Sequence, residues 1–278
     1  MPSVTFPCLP GRWSLRLLLS AFILTPLRAD EALTEAWRNL AGQLHIEAAS
    51  RLKAAEDSRE RELAAAVLLT MRQPTTDERL WEVERRLLAL AEGHDDETAA
   101  AALYFAGRLF QVHFNPPNPA KAAHYYEQLA ARAPDSHWAQ LGLVKLGLLQ
   151  LYVLPAPGGP AQRLAAAEGL LSRVTIPTLR RDLLITLART RIFYEQPLDA
   201  VLADFLAADA IGGLRGPAQG DVYLQIGELS FRAGRLQQSR DYFQRYLNLN
   251  SADPRSFTAQ RRLDEIATRL AAGGEEQS

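Results

Sequence analysis

From Asp30 onward, apolar residues recur with the period of an α-helix, and helix-breaking residues interrupt them at short, fairly regular distances. The breakers are rich in Pro, Gly and Asn and lie at residues 115–119, 133–135, 155–160, 176–177, 196–197, 212–220, 234 and 253–254. The segments between them are about 12 to 18 residues long, a usual helix length, and none alternates as a strand does. The pattern predicts an all-α fold of short antiparallel helices in series, either a bundle or an α-solenoid.

The ends of several helices are predicted from local motifs. One apolar face predicts a single first amphipathic helix that contains Leu33, Trp37, Leu40, Leu44 and Ala48. Thr75-x-x-Glu78 predicts a capping box, and Gly93-His94-Asp95-Asp96 is predicted to end one helix and cap the next. Asn118-Pro119 and Asp253-Pro254 each predict an N-cap followed by proline at the first helical position.

Residues 1–29 have the layout of a secretory signal peptide. Arg12 and Arg16 precede an apolar run at residues 17–24, and a Thr-Pro pair and Ala29 follow it. The run is far shorter than the ~20 residues that span a bilayer. We expect cleavage after Ala29, which places the protein in the periplasm or outside the cell. Cleavage also removes Cys8, the single cysteine, and with it any disulfide or zinc–thiolate site.

Similar pairs of helices recur between residues 97 and 254. Tyr223-x2-Ile226-Gly227 is followed by Ser239-x3-Phe243-x2-Tyr246 and Pro254. Upstream, Leu103-x2-Ala106-Gly107-x2-Phe110 is followed by Ala122-x3-Tyr126-x2-Leu129 and Pro134. A third copy begins at Trp138-x2-Leu141-Gly142 and continues with Ala166-x3-Leu170, and residues 178–194 and 198–210 form a fourth pair without the glycine.

These units resemble the tetratricopeptide repeat, a helix–turn–helix of ~34 residues with W-x2-L-G-x2-Y in its first helix and an Ala, an aromatic residue and a Pro in or after its second. The resemblance covers roughly residues 97–254. It implies an α-solenoid of antiparallel helical hairpins, with about 11–12 helices after the signal peptide. The predicted organisation is a signal peptide at 1–29, an N-terminal helical segment at 30–95, repeats at 96–253, a capping helix at 254–271 and a disordered tail at 272–278.

No motif in the sequence predicts catalysis, a cofactor or a metal site. The five histidines include no pair at i, i+4, and neither H-E-x-x-H nor G-x-S-x-G occurs. Residues 212–217 are glycine-rich but lack the Gly-Lys-Ser/Thr of a phosphate-binding loop. The acid pairs Glu60/Glu62 and Glu82/Glu84 are interpreted as polar helix faces. Arginines are spread among acids with a net charge of −1, so no basic stripe predicts nucleic-acid binding.

In the resembled family, the first helices of successive repeats line a concave groove that holds an extended peptide or a partner's helix. Transferring that register predicts these partner-binding residues: Leu224, Glu228, Phe231 and Arg232 in one unit, Tyr104, Arg108, Gln111 and Val112 in another, and Ala139, Leu143 and Leu146 in a third. The alternative is that Tyr104 and Phe231 pack against a neighbouring helix.

The resemblance implies a non-catalytic, exported scaffold that mediates protein–protein interactions in the cell envelope. Two other functions remain open. One is a helical-domain hydrolase that acts on cell-wall glycan, and the other is a cytoplasmic scaffold whose N-terminus is not a signal.

Overall fold

A computed structural model describes residues 30–250 and 252–275, with side chains up to residue 272. Within these ranges all regular structure is helical, in thirteen α-helices and one π-helical turn, Leu109–His113, that continues α5. The α-helices are α1 (Glu31–Ala41), α2 (His45–Ala54), α3 (Arg59–Met71), α4 (Asp77–Ala91), α5 (Glu97–Arg108), α6 (Pro119–Arg132), α7 (His137–Tyr152), α8 (Gly159–Glu168), α9 (Pro177–Phe193), α10 (Leu198–Ile211), α11 (Gly216–Arg232), α12 (Leu236–Leu249) and α13 (Ser256–Glu275). The predicted signal peptide lies outside the described residues. In the part that is described, no helix has both the length and the apolar character of a membrane span.

Each helix packs against the next one along the chain, so successive helices form hairpins. The odd-numbered helices from α1 to α9 also contact one another in series: α1 with α3, α3 with α5, α5 with α7 and α7 with α9. Contacts that run only to near neighbours are typical of stacked helical units. The predicted all-α fold is confirmed, and the packing is consistent with a helical repeat.

The buried residues form four apolar clusters that follow one another along the chain. One joins α1 to α3, the largest runs from α3 to α9, another from α9 to α12, and the last from α11 to α13. Each cluster shares a helix with its neighbour, so the core is an elongated series of contacts.

Two of the units that share a sequence pattern also share a packing contact. A Cβ atom added to Gly107 in α5 would lie 2.8 Å from Cδ1 and Cζ of Tyr126 in α6. The same atom on Gly227 in α11 would lie 3.0 Å from Cε1 of Phe243 in α12. Ser239 Oγ also donates a hydrogen bond to the Gly227 carbonyl oxygen, at 2.7 Å. In both hairpins the glycine lets an aromatic ring of the second helix approach the backbone of the first.

The third unit departs from this pattern. The helix α8 is ten residues long and ends before Leu170, and Ala166, which the pattern places at a buried position, is exposed. Gly142 contacts the preceding helix instead, where an added Cβ would lie 3.3 Å from Cδ1 of Tyr126. The sequence match between Ala166 and the small buried position of the other units is therefore wrong.

The predicted single first helix is also wrong, because the chain turns between α1 and α2. Gly42 ends α1, with its N–H bonded to the Arg38 carbonyl oxygen, and Gln43 adopts a positive φ of 60°. Leu44 is half exposed, although it follows the apolar period. The break adds one helix. The described residues form thirteen α-helices, where about 11–12 were predicted.

Local motifs located helix starts with mixed success. The predicted caps at Asn118 and Asp96 are confirmed. The Asn118 side chain accepts a hydrogen bond from the Lys121 backbone N–H at 3.0 Å, and the Asp96 side chain accepts one from the Ala99 backbone N–H at 2.9 Å. The N-cap of α4 is Thr76, one residue beyond the predicted Thr75. The helix α13 begins two residues after Pro254, and Asp253 instead accepts a hydrogen bond from the Arg255 N–H.

Candidate binding surface

Side chains from four odd-numbered helices line one open pocket of about 430 Å³, which we call the tryptophan pocket. Its lining residues are Trp37 of α1, Glu60 and Leu63 of α3, Glu97, Thr98 and Ala101 of α5, and Trp138 of α7. The helices α3 and α5 lie between α1 and α7 in the series of contacts. Tryptophans from both ends of this series, α1 and α7, therefore reach the same pocket.

Aromatic rings hold the two tryptophans in place. Phe105 of α5 stacks on Trp37 with ring centroids 6.1 Å apart and contacts Trp138 at 5.4 Å. Trp138 also contacts Tyr104 at 5.3 Å, and Tyr104 contacts the buried Tyr126 at 6.0 Å. Such tilted and stacked pairs contribute beyond the area they bury. The pocket is therefore built on an ordered aromatic row.

The rim of the tryptophan pocket is acidic. Glu60 and Glu97 lie in the first turns of α3 and α5, where a carboxylate is favoured by the helix dipole. Both are exposed, and within the described residues neither forms an ion pair. The nearby Arg59 is paired with Asp96, whose pKa is lowered by the Ala99 backbone N–H and by that arginine. No lysine or arginine is among the residues that line the pocket.

A smaller pocket, of about 200 Å³, lies further along α3 and α5. It is lined by Val67, Thr70 and Met71 of α3, Val83 and Leu87 of α4, Tyr104, Phe105 and Arg108 of α5, and His113. Arg108 Nη1 donates a hydrogen bond to Gln111 Oε1 at 2.9 Å, and Tyr126 Oη donates to the same oxygen at 2.7 Å. Burial, followed by the charge of Arg108, lowers the pKa of both His113 and Lys145. The lowered pKa values disfavour the charged forms of these two groups, so the positive charge at this end of the surface comes from Arg108.

Two of the predicted residues in α11, Glu228 and Phe231, contact the C-terminal helix α13. Arg262 of α13 forms a bidentate ion pair with Glu228, at 2.9 and 3.0 Å, and its guanidinium lies 4.5 Å from the ring centroid of Phe231. Arg269 lies at the same distance from that ring. Phe231 is buried, Leu224 packs against the same cluster, and Arg232 is exposed. Here α13 of the same chain packs on part of the predicted groove.

The structure brings three of the predicted residues together at the basic end of the surface, namely Tyr104, Arg108 and Gln111. Tyr104 is buried against neighbouring rings, which agrees with the alternative given for it, whereas Val112 is half exposed. In α7 the corresponding residues, Ala139, Leu143 and Leu146, are all buried. Partner binding by the residues of the transferred register stays a prediction.

Sequence reasoning missed the residues that form the tryptophan pocket. Trp37 was assigned to the apolar face of the first helix, and Trp138 to a packing position of the third unit. Glu60 was interpreted as part of a polar face, and Glu97 as part of a cap. The available signal was a tryptophan in each of two predicted helices, together with acids near the starts of the helices between them.

One acid that was interpreted as a surface residue is in fact buried. Glu84 of α4 is 7% exposed; it accepts a hydrogen bond from Tyr125 Oη and forms an ion pair with Lys121 Nζ at 2.6 Å. The same ammonium group lies 4.7 Å from the ring centroid of Trp81 and 4.1 Å from that of Phe110. The interpretation failed because Tyr125 and Lys121 come from α6, which the local pattern around Glu84 does not reveal.

The five histidines lie in α2, between α4 and α5, in the π-helical turn, in α6 and in α7. Within residues 30–250 and 252–272, no group of three or more His, Cys, Asp or Glu side chains is arranged to hold a metal ion. Asp96 caps α5, which confirms the capping interpretation of the His94-Asp95-Asp96-Glu97 stretch, and Asp95 pairs with Arg132 at 2.8 Å.

No protein-family model matches the sequence, and no curated protein sequence matches it either. The resemblance to the tetratricopeptide repeat therefore depends on the residue pattern and on the shared packing of Gly107 and Gly227.

Proposed function

We propose that this protein is a non-catalytic scaffold of the cell envelope, in which tetratricopeptide-like hairpins form an α-solenoid that binds a partner protein on the concave face of its odd-numbered helices. The observation that carries the proposal is the tryptophan pocket, which four of these helices build together. Half-buried aromatic side chains in a concave site supply much of the affinity of protein interfaces. The aromatic row beneath them limits the entropy that is lost on binding.

The charges of the surface also suit a polypeptide partner. Glu97, Ala101, Phe105 and Arg108 lie on one face of α5, at i, i+4, i+8 and i+11. The surface is thus acidic near the start of α5, aromatic in its middle and basic at its end, over ~16 Å. An extended segment of about five residues spans this distance at ~3.3 Å per residue.

We further propose that residues 1–29 are a signal peptide cleaved after Ala29 and that the protein acts in the periplasm or outside the cell. The order of basic, apolar and small residues in this segment supports export. Sequencing the N-terminus of the mature protein tests this point. A mature chain that retains residues 1–29 would favour the cytoplasmic scaffold.

In-cell photocrosslinking tests the main proposal. A photoreactive residue at Thr98, on the tryptophan pocket, is expected to capture a defined partner protein, whereas the same residue at Gln128, exposed on α6, is not. The captured species should disappear in the Trp138→Ala background, with far-UV circular dichroism confirming that the variant folds. Capture of the same proteins from both positions, or of none from Thr98, would refute the proposal.

The competing hydrolase has its own test. A glycosidase needs two carboxylates beside its substrate and places its general acid in an apolar environment. Glu60 and Glu97 line the tryptophan pocket, and both are exposed, which supports the scaffold. Release of soluble fragments from peptidoglycan by the native protein, abolished in Glu97→Gln, would support the hydrolase instead.

A further inference from the structure

We infer that the tryptophan pocket receives a basic side chain, an arginine or a lysine, from the partner protein. This inference rests on the proposed function, because it names the chemistry of the group that the same surface binds. The argument starts from two places where the chain already holds a cation between aromatic rings and carboxylates.

The first filled site is formed by Lys121. Its ammonium group lies over the rings of Trp81 and Phe110 and forms an ion pair with the buried Glu84. Two aromatic rings and one carboxylate thus surround one cation. Attraction to the ring faces and to the carboxylate together compensates for the water that the ammonium loses.

The second filled site is formed by Arg262 of α13. Its guanidinium covers the ring of Phe231 and binds both carboxylate oxygens of Glu228. Here the cation comes from a separate helix that packs on α11, an odd-numbered helix. The contact between α13 and α11 therefore shows, within one chain, how a helix with an arginine occupies this kind of surface.

The tryptophan pocket is lined by the same kinds of side chain, and no lysine or arginine is among its lining residues. Trp37 and Trp138 supply the aromatic rings, and Glu60 and Glu97 supply the carboxylates. Its volume of about 430 Å³ lies within the range of ~300–1,000 Å³ that is usual for ligand sites. Within the described residues, neither glutamate has an intramolecular partner that a ligand would have to displace.

The negative charge of Glu60 and Glu97 favours a cationic side chain as the occupant of the pocket. The N-termini of α3, α5 and α7 open near the pocket and carry about half a positive charge each, which does not cancel the two full charges of Glu60 and Glu97. An anionic side chain would meet this negative rim and be repelled. An uncharged side chain would contact the tryptophans but would lack the charge–charge attraction to the carboxylates.

Two-dimensional NMR of the full chain tests the inference through the indole N–H signals. Trp→Phe variants assign these signals, and the probes are two end-blocked pentapeptides that differ only at the central residue, arginine in one and its uncharged isostere citrulline in the other. We expect the arginine peptide to shift the signals of Trp37 and Trp138 and not that of Trp81, whose ring Lys121 already covers. The citrulline peptide should bind about tenfold more weakly.

Matched charge variants isolate the role of the carboxylates. The double change Glu60→Gln and Glu97→Gln should weaken binding of the arginine peptide about tenfold without unfolding the chain, since both side chains are exposed. The control is Glu47→Gln with Glu78→Gln, which removes two exposed first-turn acids from α2 and α4 and should leave the affinity unchanged.

Three results would overturn the inference. They are equal affinity for the two peptides, unchanged affinity in the Glu60/Glu97 double variant, and shifts of the Trp37 and Trp138 signals only with a trimer of N-acetylglucosamine. A partner captured at Thr98 together with no binding of the arginine peptide would refute this inference and leave the proposed function standing. Binding of the arginine peptide without any captured partner would refute the proposed function, and only the preference of the pocket for a basic side chain would remain.

Discussion

The substitution Gly107→Ala tests whether the repeated glycine has a packing role. The new methyl group would lie 2.8 Å from Cδ1 and Cζ of Tyr126, and closer still to Cε1. Tyr126 is fully buried and its hydroxyl is hydrogen-bonded to Gln111, so the ring has little room to move. Overpacking of this kind costs up to about 3 kcal/mol.

Alanine has a higher helix propensity than glycine, which offsets about 1 kcal/mol of that cost. The net loss in the free energy of unfolding is therefore about 2 kcal/mol, which lowers Tm by ~4–8 °C in a chain of this size. Thermal melts followed by circular dichroism at 222 nm measure the change. Gly142→Ala is the matched control, because its methyl group would lie 3.3 Å from the same ring and the cost should nearly cancel the gain in propensity.

A double-mutant cycle identifies the cause of the loss. In a Tyr126→Leu background, which removes Cε1 and Cζ, Gly107→Ala should no longer destabilise the protein, and the two changes should show a coupling energy of about 2–3 kcal/mol. If Gly107→Ala raised Tm, or lowered it equally in both backgrounds, the steric reasoning would be refuted.

Two further predictions concern charges. Burial raises the pKa of Tyr126 above its ordinary value of 10.0, and burial together with a neighbouring carboxylate does the same for Tyr125 and Tyr242. Because the folded state favours the neutral phenols, stability should be full below about pH 10 and fall as the pH rises above it, which thermal melts in alkaline buffers will show. Arg262→Ala should lower the free energy of unfolding by about 1 kcal/mol more than Arg261→Ala in urea titrations, since Arg262, unlike Arg261, pairs with Glu228 and contacts the Phe231 ring.

Local patterns predicted much of the fold. They failed where the deciding contact joins residues far apart in the sequence, and where the backbone turns although the apolar period continues. The cap at Asn118 depends on residues three apart, and the packing of Gly107 on Tyr126 depends on a hairpin whose pattern occurs twice. The break at Gln43 was missed because Leu44 continues the apolar period although the backbone turns there. Glu84 was misplaced because the residues that bury and neutralise it belong to another helix.

By itself, the sequence determined that the described chain is helical, roughly where its helices end and which small residues meet aromatic rings within two hairpins. These properties depend on residues close together along the chain. Only the tertiary structure decided which surface is available. Trp37 and Trp138 share a pocket because stacking of the odd-numbered helices brings distant residues together, and Phe231 lies beneath α13 because the last helix packs back on α11. The relative placement of these helices depends on side-chain packing between distant segments, which no single segment encodes.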